Sequence, residues 1–155
     1  MELRNSGEPL NIEKLKEFEE KYAVSLPEDY KAFLLKTNGG FIRGFYVTQE
    51  FDELDTENNI IRKQQANVQK FFPLNKVAKA YEDILDDPIL PPGFLPIAND
   101  PFGNNFIICT KQNNDFGSIW FANHELWDKE TGFWVYSKIS NTFNGFLSSL
   151  TIFEE

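Results

Sequence analysis

The stretch 94-FLPIANDPFGNNFIICT-110 decides the fold, because two apolar segments flank a short polar turn within it. Gly103 permits a tight turn, and Asp100 and Asn104 carry short side chains that hydrogen-bond to nearby backbone. With Asn99 and Asn105, the same turn also collects carboxylate and amide oxygens, so a binding loop is the alternative interpretation. We favour a corner that holds the geometry of a sheet, since that is the commoner use of such residues.

The strand pattern continues on both sides of this turn. Downstream, SIWFAN (118–123) and FWVYS (133–137) predict two more strands, and the connections KQNNDFG and HELWDKETG are rich in turn-forming Asn, Asp and Gly. Upstream, FIRGFYV (41–47) and NVQKFFPL (67–74) predict two strands, the first with a bulge at Gly44. The segment 50-EFDELDTE-57 holds five acids and no base, which predicts a mobile surface loop.

Helices are predicted near both ends of the chain. Asn11 is the expected cap of a first helix whose residues Ile12, Leu15, Phe18 and Tyr22 share one face. A third helix is expected over 76–87. The last segment, 141-NTFNGFLSSLTIF-153, predicts a terminal helix capped by Asn141.

The second helix lies in 25-SLPEDYKAFLLKTNGG-40. Ser25 and Glu28 have the spacing of a capping box, and Pro27 suits a first helical turn. Asn38-Gly39-Gly40 should end the helix, since glycine accepts left-handed backbone. Together these patterns predict an α+β fold, with a central antiparallel β-sheet flanked by N-terminal helices and a C-terminal helix. A chain of 155 residues is expected to form a single domain over 1–155, with 1–10 as a flexible N-terminal extension.

Composition and charge limit the classes of function. Cys109 is the only cysteine, lies in an apolar run and is expected to be buried; with no secretory signal visible, a reducing cytoplasmic setting is predicted. No apolar run is long enough for a membrane span. The net charge is −9, and residues 78–155 alone carry −7, so nucleic acid is a poor partner. The acidity favours a basic protein partner, or serves only solubility, which on charge alone is the stronger interpretation.

No catalytic motif is visible. His124 is the single histidine, so a metal site would need a set such as His124, Glu125 and Asp128, whose side chains turn formation explains equally well. No serine elbow and no phosphate-binding glycine loop appears. We therefore predict a protein that is not an enzyme and that uses no cofactor and no metal. Trp127, among acids in HELWDKETG, is either an interface anchor or a local packing residue.

Two signatures in order, SLPEDYKAFLLKTNGG and then LPIANDPFGNNFIICT with FGSIWFANHE, resemble the SUKH superfamily, in the branch related to the fungal Smi/Knr cell-wall-assembly regulators. The likeness covers nearly the whole chain. The positions that carry its structural motif are Leu26, Pro27, Tyr30, Asn38, Gly39, Gly40, Pro96, Ile97, Ala98, Asp100, Gly103 and Asn104.

The resemblance implies a compact domain with a central antiparallel sheet, and two alternative roles. Bacterial members resemble immunity proteins that bind and neutralise a cognate toxin domain, often a nuclease; fungal members are regulatory scaffolds in cell-wall signalling. We favour the first role, with a basic toxin domain as partner. Acidic residues would steer the partner and Trp127 would anchor it. The candidate contacts are Glu82, Asp83, Asp86, Asp87, Glu125, Trp127 and Asp128.

Overall fold

One antiparallel sheet organises the molecule. The computed structural model describes residues 1–153, which form four helices and ten strands. Seven strands follow the order β1-β2-β5-β6-β7-β8-β9, with β10 also pairing with β2, and β3 and β4 form a separate hairpin. This is the predicted α+β architecture. The elements are β1 (Leu3–Arg4), α1 (Ile12–Tyr22), α2 (Glu28–Lys36), β2 (Gly40–Val47), β3 (Phe51–Asp55), β4 (Ile60–Gln64), β5 (Asn67–Phe71), α3 (Leu74–Asp86), β6 (Phe94–Asn99), β7 (Asn105–Cys109), β8 (Ile119–Trp127), β9 (Trp134–Ser140), α4 (Phe143–Ser149) and β10 (Thr151–Ile152).

The meander β6–β9 forms as predicted, and it buries side chains on both faces. On one face, residues such as Leu95, Phe106 and Phe121 belong to the large core beneath α1, α2 and α4. On the other, Ile107 and Cys109 belong to a smaller core closed by the end of α3. Apolar residues on both faces explain why these strands read as continuous apolar runs rather than as alternating ones. The predicted bulge in β2 is present, because the pairing with β5 shifts register between Phe41 and Tyr46.

Helix α1 begins as predicted, whereas the start of α2 differs. The Asn11 side chain accepts a hydrogen bond from the Lys14 backbone N–H at 2.9 Å. The capping box at Ser25 and Glu28 is wrong, since α2 starts at Glu28 with Pro27 as its cap residue and without a capping side chain. Glu19 of α1 instead accepts from the Leu26 N–H at 2.8 Å, so a tertiary contact replaces the local one.

Gly39 and Gly40 serve the sheet rather than the helix end. Helix α2 ends at Lys36, and its cap residue Thr37 has extended backbone. Gly39 has φ 71°, and a Cβ there would lie 2.5 Å from the Pro73 backbone nitrogen. The expected helix stop therefore falls in the right place, but the glycines are required by the close approach of the chain after β5.

The acidic segment 50–57 is not a loop, and this expectation was wrong. Residues Phe51–Asp55 form β3, which pairs with β4 in register from Phe51 opposite Gln64 to Asp55 opposite Ile60. Glu53 and Asp55 are buried, with 1% and 3% of their surface exposed. Both carboxylates accept hydrogen bonds from side chains of β4. Gln64 donates to Glu53 at 3.0 Å, and Arg62 donates to Asp55 at 3.1 Å.

Both chain ends add short strands that the sequence did not predict. Residues 1–10, expected to be a flexible extension, include β1, which pairs with β2 through Leu3 opposite Ile42. At the other end, α4 is capped by the Thr142 side chain, which accepts from the Gly145 N–H, and not by Asn141. The helix ends at Ser149, because the chain then turns to pair β10 with β2. Within residues 1–153, no helix has the length and apolar character needed to cross a membrane.

Candidate protein-binding surface

Helix α3 presents four of the predicted contact residues near its C-terminal end. Glu82 accepts a hydrogen bond from the Tyr22 hydroxyl, which raises the pKa of Tyr22. Asp83 is paired with Lys79 at 2.9 Å. Asp86 and Asp87 are exposed and form no ion pair with any residue of 1–153. Two free carboxylates therefore remain at this end of the helix.

The position of these carboxylates is electrostatically unfavourable for the isolated chain. The last turn of α3 contains no basic residue, and Asp87 is its cap residue. Carboxylates near a helix C-terminus face the negative end of the helix dipole, at a cost of roughly 0.3–1 kcal/mol each. A cation from a partner would offset this cost, which the last turn of α3 does not do because it contains no basic residue.

An open groove of about 460 Å³ adjoins the end of α3. Asp83, Asp86 and Asp87 form its acidic rim, and Lys76 is the one cation among its lining residues. Ile84, Ile89 and Pro96 supply apolar lining. The groove thus combines an acidic rim with an apolar surface, which is a suitable arrangement for basic and apolar side chains of another protein.

The other three predicted contacts lie at the end of β8, beyond the point where the sequence placed the strand's end. β8 continues to Trp127 because Trp127 pairs with Trp134 of β9. The two indole rings meet edge to face at 6.3 Å, yet Trp127 remains 49% exposed. Glu125 is exposed, and Asp128 begins the turn by accepting from the Glu130 N–H. Trp127 is both packed at a sheet edge and available at the surface.

Ile89 and Trp134 link the predicted contact residues of α3 to those at the end of β8. Neither was among the predicted contacts. The backbone N–H of Trp134 donates to the Ile89 carbonyl at 2.9 Å, and the side chains of both residues pack against the smaller core. The segment after α3 therefore meets the β8–β9 turn directly. An apolar Ile within the proline-rich stretch 88-PILPP-92 gives no sign in the sequence of a partner 45 residues away.

Within the turn 99–105, the side chains of Asp100 and Asn104 form internal hydrogen bonds. Asp100 accepts from the Phe102 and Asn104 N–H groups at 2.9 and 2.8 Å. Asn104 in turn accepts from the His124 backbone N–H at 3.0 Å and contacts the imidazole Nδ1 at 2.6 Å. Gly103 has φ 89°, and a Cβ there would lie 3.4 Å from the His124 ring. The loop and His124 form one hydrogen-bonded corner between β6, β7 and β8.

The groups weighed above as candidates for metal binding or catalysis are His124 with its neighbouring acids, and Cys109. Within residues 1–153, no three or more His, Cys, Asp or Glu residues are arranged to hold a metal ion. Cys109 is buried, and burial raises the pKa of its thiol. A protonated, inaccessible thiol is a poor nucleophile.

Comparison with known proteins gives the family of this chain. A central antiparallel sheet flanked by helices defines an α+β protein, and an acidic groove lies at the end of α3. Residues 9–149 match the model of the SMI1 / KNR4 family (SUKH-1), and the chain belongs to this family. It is also similar to the SPbeta prophage-derived uncharacterized protein YokK of Bacillus subtilis (strain 168), with 31% identity over 150 residues, covering 89% of this chain and 73% of that protein.

Proposed function

We propose that this protein is a non-catalytic, cytoplasmic immunity protein that binds and neutralises a cognate toxin domain of a bacterial polymorphic toxin system. Membership of the SUKH-1 family is the observation that carries the proposal. The similarity to a prophage-derived protein adds support, since prophages are mobile elements that carry genes between bacteria. No cofactor is required, because neutralisation proceeds by contact.

The acidic surface favours a basic toxin domain, such as a nuclease. Nuclease domains bind phosphate backbones and therefore need clustered Lys and Arg. Asp86 and Asp87, unpaired within residues 1–153, would approach such cations at the rim of the α3 groove. Glu82, Asp83, Glu125 and Asp128 would add to the steering field, and the exposed part of Trp127 would anchor the complex.

Capture from the native organism tests the partner's class. The tagged full chain is used as bait, and proteins retained at low salt are identified by mass spectrometry. A toxin domain whose expression stops growth, and whose effect the chain reverses when co-expressed, is the expected result. If the retained protein is instead a cell-envelope signalling protein, and deletion causes a phenotype without toxin challenge, the regulatory role described for the fungal regulators replaces the immunity role.

A charge-reversal pair tests the acidic surface itself. Asp86→Lys with Asp87→Lys should weaken the complex by at least about tenfold, because interface charge pairs are lost and replaced by repulsion. Glu13→Lys with Glu20→Lys on α1 changes the net charge equally at exposed positions away from the groove, and is the matched control. Equal weakening by both pairs would show that overall charge, not this surface, is responsible.

A further inference from the structure

A second open groove runs along β9, the last strand of the sheet. β9 pairs with β8, and no other strand within residues 1–153 is hydrogen-bonded to it as a neighbour. Both ends of β9 form hydrogen bonds with other segments. The backbone N–H of Trp134 donates to the Ile89 carbonyl, and the Ile139 carbonyl accepts from the Gln49 side chain at 2.8 Å. Between these ends, residues 135–137 line a groove of about 420 Å³.

The two walls of this groove differ in chemistry. One wall is the outward side of β3, where Asp52 and the 44%-exposed Leu54 are directed. The other consists of the rings of Trp120, Trp134 and Tyr136, of which Trp120 and Tyr136 meet edge to face at 5.5 Å. Rigid aromatic rings beside a strand edge offer apolar area at a low cost in conformational entropy.

The charge of the groove favours a basic occupant. Asp52 and Asp128 are the charged residues that line it. Asp52 is paired with Lys63 at 2.6 Å, whereas Asp128 forms no ion pair with a residue of 1–153. An extended segment laid along β9 would turn alternate side chains to opposite sides, so one set would meet the rings and the other would face the β3 wall and Asp128.

We propose that the free edge of β9 is a docking site for an extended segment of a partner protein, which adds to the sheet as a strand. Backbone hydrogen bonds to Tyr136, whose N–H and C=O are directed away from β8, would supply affinity, and the aromatic wall with Asp128 would select apolar and basic side chains. An uncovered strand edge is a liability that folded proteins normally protect, and a bound strand would protect this one. The identity of the partner as a toxin rests on the proposed function, but the docking site does not.

Synthetic peptides of ten residues, alternating Val or Tyr with Lys or Arg, serve as the probe. Hydrogen exchange of the full chain, followed by NMR, should show slower exchange for the backbone amide of Tyr136 when a peptide binds, because this amide is directed away from β8. Leu54→Arg should reduce peptide affinity by about tenfold through repulsion in the groove. Ile61→Arg, at the cross-strand partner of Leu54 and outside the groove lining, should change it by less than about twofold.

Absence of binding by every peptide, or protection confined to another part of the chain, would overturn the docking site. The result is separable from the immunity role. A toxin complex in which the Tyr136 amide exchanges as fast as in the free protein would overturn the docking site and leave the immunity role standing. Peptide binding at β9 in a chain that protects against no toxin would overturn the immunity role and leave the docking site standing.

Discussion

Asn104 joins three strands through one side chain. Its carbonyl oxygen accepts from the backbone and ring of His124, and its Nδ2 donates to the buried Asp100 carboxylate at 2.9 Å. Asn104→Ala should therefore lower the free energy of unfolding by about 2–3 kcal/mol, because buried partners lose their hydrogen bonds. Urea denaturation measures the change.

The control for Asn104 is Asn113→Ala. Asn113 accepts a similar local hydrogen bond from the Asp115 N–H, but at an exposed position. Water replaces that bond, so a loss below about 1 kcal/mol is expected. Equal losses at the two positions would contradict the structural role assigned to the corner.

Tyr30 gives a prediction about pH. Its hydroxyl is buried without a hydrogen-bond partner among residues 1–153, and burial raises the pKa of Tyr30 far above its ordinary value. Above about pH 10 the unfolded chain loses this proton while the folded chain keeps it, so stability falls as the pH rises. Tyr30→Phe should remove this contribution, and unfolding measured between about pH 7 and 11 should show a shallower decline.

The same variant is informative at neutral pH. Tyr30→Phe removes an unsatisfied hydroxyl and should be neutral or stabilising by up to about 1 kcal/mol. Tyr81→Phe is the matched change, because the Tyr81 hydroxyl accepts from the Gly93 N–H at 3.0 Å. It should cost about 1 kcal/mol. A larger loss for Tyr30 than for Tyr81 would mean that the Tyr30 hydroxyl has a partner in solution.

At the scale of elements, the β3–β4 hairpin is held to the sheet by a buried carboxylate. Glu53 accepts from Gln64 within the hairpin at 3.0 Å and from Asn123 of β8 at 3.2 Å. Phe51 adds a ring contact with Phe121 at 5.4 Å. The hairpin is also attached at its turn, where the Thr56 hydroxyl donates to the Trp127 carbonyl at 2.9 Å.

Glu53→Ala should destabilise the protein by about 2–3 kcal/mol, because the half-buried amides of Gln64 and Asn123 lose their shared acceptor and the buried contact to the sheet is removed. Asp52→Ala, one residue away, removes an exposed pair with Lys63 and should cost less than about 1 kcal/mol. Limited proteolysis should cut the hairpin faster in the first variant only. Similar unfolding energies and cleavage rates in both would contradict the assigned role of Glu53.

The hairpin also shows why sequence patterns failed for this element. Phe51, Glu53 and Asp55 have the two-residue period of a strand, but two of the three inward positions are acids, which normally indicate solvent exposure. By contrast, β6–β9 carry apolar residues inward and were predicted, as was α1 with its Asn11 cap. Patterns succeed where local preference and burial agree.

At the scale of the whole molecule, the acidity is concentrated in the second half of the chain, where residues 78–155 carry −7 of the net −9. The association rate with a basic partner should therefore fall by about tenfold or more between about 50 and 500 mM salt, because screening shortens the range of the field. Stopped-flow or surface-based kinetics at several salt concentrations measure it.

The dissociation rate should change much less over the same range, since apolar and aromatic contacts hold the formed complex. A partner whose association rate is independent of salt would contradict steering by this surface. The control is again the pair Glu13→Lys and Glu20→Lys on α1. This charge reversal should lower the association rate less than charge reversal at Asp86 and Asp87.

The sequence by itself determined the α+β class, the meander, α1 with its cap and the family to which the chain belongs. These features depend on local periodicity, turn residues and motif spacing, which neighbouring residues encode. Only the tertiary structure decided that Glu53 is buried, that Gly39 accommodates the chain after β5, and that Ile89 meets Trp134. Each of these depends on residues far apart in the chain, and burial and hydrogen bonding between them arise only once the sheet has formed.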